Sequence, residues 1–219
     1  VYNDGRFTMS GGIIEAGCTI FSLDSTGRTK FTISGSAEIK AEITNCCTLY
    51  ADGGDIRGAV KNGHGEYGMG EITDGSAGAG ATTFQGSVEN VKGTIEKGNF
   101  KGSVTNSGTI TGGTFTGTVT NTGGSITGGD FSQATSLSGN LTVTFDPDNG
   151  DETSTQTVAW TKDGTVLTAP TAPTREGYRF GGWYYDNNDS KTEWNFDTDK
   201  VTRTMTLKAK WTANPPAPS

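Results

Sequence analysis

Three consecutive stretches, FQGSVENVKGTIEKGN, FKGSVTNSGTITGGT and FTGTVTNTGGSITGGD, spell one motif, and this repetition constrains the fold more than any other feature of the chain. Phe84, Phe100, Phe115 and Phe131 follow one another at intervals of 16, 15 and 16 residues. In each unit Gly stands two places after Phe (Gly86, Gly102, Gly117), Val four places after (Val88, Val104, Val119) and Asn six places after (Asn90, Asn106, Asn121). Alternation of period two is what an extended segment with one buried face requires. The spacing therefore predicts a strand with Phe, Gly, Val and Asn turned inward and Thr, Ser or Lys outward. Ile95, Ile110 and Ile126 predict a second short strand in each unit, and the glycine pairs before Phe115 and Phe131 mark corners.

A repeat this short cannot bury its own apolar face. Coils stacked one strand spacing apart, ~4.8 Å, would place Phe on Phe, Val on Val and Ile on Ile, which makes the first half a parallel solenoid. The Asn column supports the same arrangement, because a solitary buried amide is costly while a stacked one finds its donors and acceptors in the copies above and below. The motif continues upstream, where Ile56, Gly58, Val60 and Asn62 keep the register. Phe7 and Phe31 lie 24 residues apart and Ile56 follows one residue late, which predicts larger early coils and a taper; residues 63–83 break the pattern as an excursion.

Composition changes near residue 140. Of the 34 glycines, 29 precede it, whereas Trp160, Trp183, Trp194 and Trp211 all follow it. The boundary is expected within SQATSLSGN, residues 132–140, giving a solenoid over 1–136, a second domain over 141–212 and a Pro-rich linker or tail over 213–219. The second domain reads as β: strands in LTVTFDPDNG, STQTVAW and around TVLTAP, and a closing RTMTLKAKW with Met205, Leu207, Ala209 and Trp211 on one face. So small a unit needs its aromatic residues to supply much of the buried area.

The formal net charge is −7, mildly acidic in both halves so that neither presents a single-sign field, which argues against phosphate-backbone binding and so against nucleic acid as a partner. The sequence has no apolar run long enough for a membrane-spanning helix and no signal-peptide block at Val1, and its abrupt start and the closing TANPPAPS suggest a segment of a longer polypeptide. His64, the one histidine, lacks a nucleophile beside it and reads as a loop residue. Cys18, Cys46 and Cys47 lack zinc-site spacing; buried thiols are expected, with a disulfide from Cys18 to Cys46 or Cys47 as the other reading. Asp52 and Asp55, with Asp24 a coil earlier, are the best carboxylate group for a calcium site or an acid pair, although Asp beside Gly is also ordinary turn chemistry. Outward Thr114, Thr116, Thr118 and Thr120 form too short a row for ice binding. Tyr178, Phe180 and Trp183 are expected in the core, and Tyr185 at the surface.

Two resemblances add to this reading. Residues 1–135, with VYNDGRFTMSGG and the Gly-Thr-Phe-Thr-Gly repeats, look like right-handed parallel β-helix segments of large bacterial cell-surface proteins. Leu141 to Trp211 resembles the Listeria-Bacteroides repeat, the family of the internalin B repeat. Its signature is read here in Thr144–Asp146, Asn149-Gly150, the Pro173–Tyr184 block P-T-x-x-G-Y-x-F-x-G-W-Y, and Met205–Trp211; Asp151 stands where a second Gly is usual. That resemblance implies a β-grasp-like fold, an extracellular bacterial address with tandem neighbouring domains, and a role in adhesion or as a stalk. The whole chain is thus expected to be mainly all-β, a parallel β-helix solenoid followed by a small β-grasp-like domain. Its expected function is a non-enzymatic module of a secreted or cell-surface protein whose partner is a host or bacterial surface protein or a glycan. No residue is assigned to catalysis, to a cofactor or to a metal. The alternative is a carbohydrate-active enzyme, a polysaccharide lyase or glycosidase, on a β-helix scaffold.

Overall fold

The structure is a computed structural model that describes residues 2–3, 6–17, 19–22, 30–46, 48–63, 70–73, 82–187 and 190–215. The chain divides into two compact units, Val1–Gly139 and Asn140–Ser219. The described residues of both are strand and turn, without helix.

In the first unit each repeat makes a coil of three short strands, such as Thr83–Phe84, Val88–Asn90 and Thr94–Ile95, followed by Asn99–Phe100, Val104–Asn106 and Thr109–Ile110. Successive coils pair in parallel and in register. Phe84 lies on Phe100 and Phe100 on Phe115; Val60, Val88, Val104 and Val119 form a second column; Ile72, Ile95, Ile110 and Ile126 form a third. These residues are the core, and they stack as a parallel solenoid requires. The rings of Phe84, Phe100, Phe115 and Phe131 lie at centroid separations of 4.6, 4.8 and 4.6 Å with interplanar angles of 15° or less, so ring spacing follows strand spacing.

The Phe-to-Asn segment is not one continuous strand. It bends between Phe and Val, at Gly86, Gly102 and Gly117, and sends Phe and Val to different faces of the coil. The glycine is there for space. A Cβ on Gly102 would sit 2.0 Å from the Gly86 carbonyl oxygen, and one on Gly117 would sit 2.1 Å from that of Gly102. The bend also divides the threonine row: Thr114 lies on Thr114–Phe115, Thr118 and Thr120 on Thr118–Asn121, and Thr116 between the two strands.

The Asn column is longer than the three repeats. Asn45, Asn62, Asn90, Asn106 and Asn121 are all buried, and each Nδ2 donates to the Oδ1 of the next, at 2.8, 2.8, 2.7 and 2.8 Å. The second hydrogen of several amides reaches a backbone carbonyl, as from Asn90 to Thr109 O at 3.2 Å and from Asn121 to Gly124 O at 2.8 Å. Buried amide polarity is thereby satisfied along the stack.

The early coils differ from the expected alignment. Phe31 pairs with Leu49 and Leu49 with Ile72, so Phe31 belongs to the Ile column; the predecessor of Ile56 in the Phe column is Ile39. The strands Lys30–Ile39 and Thr48–Ile56 each carry both faces, with an irregularity between Gly35 and Glu38. Phe7 does pair with Phe31 and Ile14 with Ile39, steps of 24 and 25 residues. The next step, Ile39 to Ile56, is 17, so the early coils are larger than the later ones, which step by 16 and 15. Within the expected excursion, Glu71–Thr73 is a strand of the stack, lying between Thr48–Tyr50 and Thr94–Ile95.

Among the described residues the second unit is a five-stranded sheet. Its strands run in the order Ser154–Ala159, Ser136–Asp146 (through its residues from Asn140 onward), Met205–Ala213, Tyr178–Asn187 and Ser190–Glu193. Neighbours are antiparallel except for Val143–Asp146 against Met205–Lys208, which run parallel. Leu141, Val143, Phe145, Trp160, Leu167, Trp183, Val201 and Leu207 are buried. The region around TVLTAP is not a strand: Thr165 makes one bridge to Val201, and Leu167 is buried in the core.

Tyr178 is 40% exposed rather than buried. It is the first residue of its strand, and a bulge follows beyond Phe180, which is itself only partly buried. Phe180 opposes Trp211 and Trp183 opposes Ala209, so three steps on one strand match two on the other. Gly181 and Gly182 supply the extra residue, Gly182 with φ of 104°. Simple alternation is thereby broken: Phe180 and Trp183 meet edge-to-face at 5.6 Å and Phe145 meets Trp183 at 5.1 Å. Tyr178, at the strand's start, is left beside Arg175, whose guanidinium lies 4.2 Å from the ring centre. Tyr185 is partly buried.

Candidate interaction surfaces

The carboxylate candidate on the solenoid resolves into a charge cluster. Asp55 lies in register with Glu38 on the neighbouring coil, and Arg57 reaches both, with Nε 2.9 Å from Glu38 Oε1 and Nη2 3.7 Å from Asp55 Oδ2. These three, with Ser36, Ala37 and Gly54, line a groove of about 340 Å3. The strand bulges there, and Thr82, fully buried, holds it by donating to Gly53 O at 2.6 Å and accepting from Gly53 N at 3.0 Å. Two carboxylates one strand spacing apart would repel each other; the guanidinium within reach of both neutralises one charge, so the pair is held as an ion-paired cluster. Glu38 and Arg57 escaped sequence reasoning because their proximity to Asp55 depends on coil register across the bulge.

Asp24, His64, Cys18, Cys47 and the side chain of Asp52 lie outside the described residues. Cys46 is buried. Among the described residues no three of His, Cys, Asp and Glu come together as a metal site would need.

Among the described residues several outward side chains on the solenoid make short cross-coil pairs. Lys61 contacts Glu42 at 2.9 Å, and this hydrogen bond, followed by the Glu42 and Glu89 charges, raises the Lys61 pKa above its ordinary value. Thr73 donates to Glu96 at 2.8 Å, and Thr120 and Ser138 lie 3.0 Å apart. At Asp130 the Ser132 side chain and then the Ser132 backbone N–H lower the carboxyl pKa.

In the second unit the Asp146–Asp151 loop, the Thr174–Tyr178 segment and the closing strand are tied together. Asn149 Nδ2 donates to Thr174 O at 2.8 Å and to Asp151 Oδ2 at 2.7 Å, while its Oδ1 accepts from Asp151 N at 2.9 Å. Arg175 donates to Asp148 O, and Trp211 Nε1 donates to Pro147 O at 2.8 Å. Asp151, at the position where a second Gly is usual, thus takes part in the turn. The signature segments of the sequence acquire their structural meaning here: Asn149-Gly150 forms the loop, Pro173–Gly177 receives it, and Tyr178–Tyr184 is the bulged strand beneath.

Residues 141–210 match the Listeria-Bacteroides repeat domain. The chain is also similar, over about a third of its length, to curated proteins. It is 42% identical over 79 residues to Internalin H of Listeria monocytogenes, covering 36% of this chain and 13% of that protein. It is 36% and 38% identical, over 73 and 72 residues, to two Evansella cellulosilytica proteins whose names mark them as candidate membrane proteins, one of them Gly-rich; each alignment covers 33% of this chain and 10% or 8% of the relative. The chain spans about a tenth of the length of these relatives. No helix among the described residues is long and apolar enough to cross a membrane, which leaves β-barrels unaddressed.

Proposed function

We propose that the chain is a non-enzymatic display module of a bacterial cell-surface protein, in which a solenoid and a Listeria-Bacteroides repeat domain serve adhesion or the presentation of a ligand-binding surface outside the cell. The observation that carries this reading is the repeat domain over residues 141–210, with its likeness to a segment of an internalin. The solenoid suits the role physically: in-register stacking makes a scaffold whose outward side chains vary without disturbing the columns. The partner is a host or bacterial surface protein or a glycan. The rival, a carbohydrate-active enzyme, is disfavoured by the groove at Glu38 and Asp55, where Arg57 is within reach of both carboxylates. The full chain displayed against arrays of glycans and host-matrix proteins tests the proposal. Saturable binding to one class supports it. Silence across the arrays, or turnover of a polysaccharide in the same assay, overturns the adhesive role in favour of a spacer or an enzyme.

A further inference from the structure

Two asparagines in the chain precede glycine, Asn62 and Asn149, and they sit in opposite surroundings. The pairing matters chemically because a glycine amide, unhindered by a side chain, is the backbone nitrogen that most readily attacks the carboxamide carbon of a preceding Asn. Asn62 is fully buried in the ladder: Oδ1 accepts from Asn45 and Nδ2 donates to Asn90, both at 2.8 Å. Its Gly63 is packed so tightly that a Cβ there would lie 2.2 Å from Gly93 N. Asn149 is only half-buried, Gly150 is exposed, and nothing lies within 4 Å of the place a Gly150 Cβ would occupy. Ring closure therefore meets no packed group at Gly150 and has only the exposed hydrogen bonds of the Asn149 side chain to break.

We propose that Asn149–Gly150 is a site of spontaneous deamidation, and that its modification detaches the Asp146–Asp151 loop from Thr174. The Gly150 amide nitrogen bonds to Asn149 Cγ and gives up its proton; the side-chain nitrogen takes that proton and leaves as ammonia. Water then opens the five-membered succinimide at either carbonyl, leaving an aspartyl or isoaspartyl residue at position 149. Nothing is oxidised or reduced, and the solvent is the only co-reactant. The product carboxylate has lost both donors of Nδ2. It faces Thr174 O and Asp151 Oδ2, two acceptors that the amide held at 2.8 and 2.7 Å, so both contacts turn repulsive. The Arg175–Asp148 contact belongs to the same junction, so loosening extends to the exposed Tyr178 beside Arg175.

The test is incubation of the folded full chain at pH 8.5 and 37 °C with peptide mass spectrometry. The peptide containing Asn149 gains one mass unit, in aspartyl and isoaspartyl forms, while the peptide containing Asn62 stays unmodified until the chain is unfolded in urea. Equal conversion of both in the folded chain, or persistence of Asn149 for as long as the unfolded chain takes to convert it, overturns the assignment. Hydrogen exchange on Asn149→Asp reads the second claim: exchange in the peptide covering Thr174–Tyr178 rises several-fold, and unchanged exchange there shows that the loop does not detach.

Discussion

At the scale of single residues, the first unit is decided by a polar side chain. Each ladder asparagine is both donor and acceptor, so removing one disturbs two neighbours. Asn106→Ala takes away the acceptor of Asn90 Nδ2 and the donor to Asn121 Oδ1. Two buried groups losing a partner cost roughly 2–4 kcal/mol, read as a lower denaturation midpoint by far-ultraviolet circular dichroism. A milder residue-scale effect sits at Asp130. Its folded pKa lies below the ordinary 3.8, so the contribution of its contacts with Ser132 is present above that pH and is lost as pH falls through the lower folded value. Any stability difference between the native chain and Asp130→Asn accordingly closes at acid pH; a difference that widens below pH 3.8 contradicts this account.

At the scale of elements, close approach between coils governs what can be changed. Gly102→Ala places a methyl 2.0 Å from a backbone oxygen, so the backbone must move, at a cost of about 2–3 kcal/mol. Gly181 is the control, because a methyl added there would find its nearest neighbour 3.4 Å away and its φ is not positive: Gly181→Ala stays within about 0.5 kcal/mol by thermal melting. The later coils were legible in the sequence because identical residues occupy each column, and columns of Phe, Val, Asn and Ile leave one parallel register. The early coils were not, because the Ile column there holds Phe31 and Leu49 and the Phe column holds Ile39 and Ile56: apolar side chains interchange, so residue type alone misaligned them. The Glu71–Thr73 strand hid between glycine-rich stretches although its Glu-Ile-Thr copies the Thr-Ile-Thr of Thr109–Thr111. The bulge at Gly181-Gly182 breaks alternation as well, bringing Trp183 against Phe180, while Tyr178 lies at the exposed start of that strand. Of the candidate groove, Asp55 was legible, while Glu38 and Arg57 were not, since contacts across a coil interface leave no spacing signature.

For the whole molecule, the two units rest on different cores, one of stacked columns and one of clustered aromatic rings. All four tryptophans belong to the second. Tryptophan fluorescence therefore follows the unfolding of Asn140–Ser219, whereas circular dichroism follows both units. Equilibrium denaturation of the full chain gives two non-coincident curves, and Phe100→Ala, costing about 3–5 kcal/mol, shifts the dichroism transition while leaving the fluorescence midpoint in place. Coincident curves that move together would show instead that the units unfold as one. The amide column has a consequence for ancestry as well. Each Asn from Asn45 to Asn106 hands a hydrogen to its successor in the same direction, so duplicating or deleting a complete coil leaves no amide orphaned at the splice. Gene-level slippage by whole repeats would thus be chemically silent inside the stack, and length becomes a trait that lineages adjust without redesigning the interior.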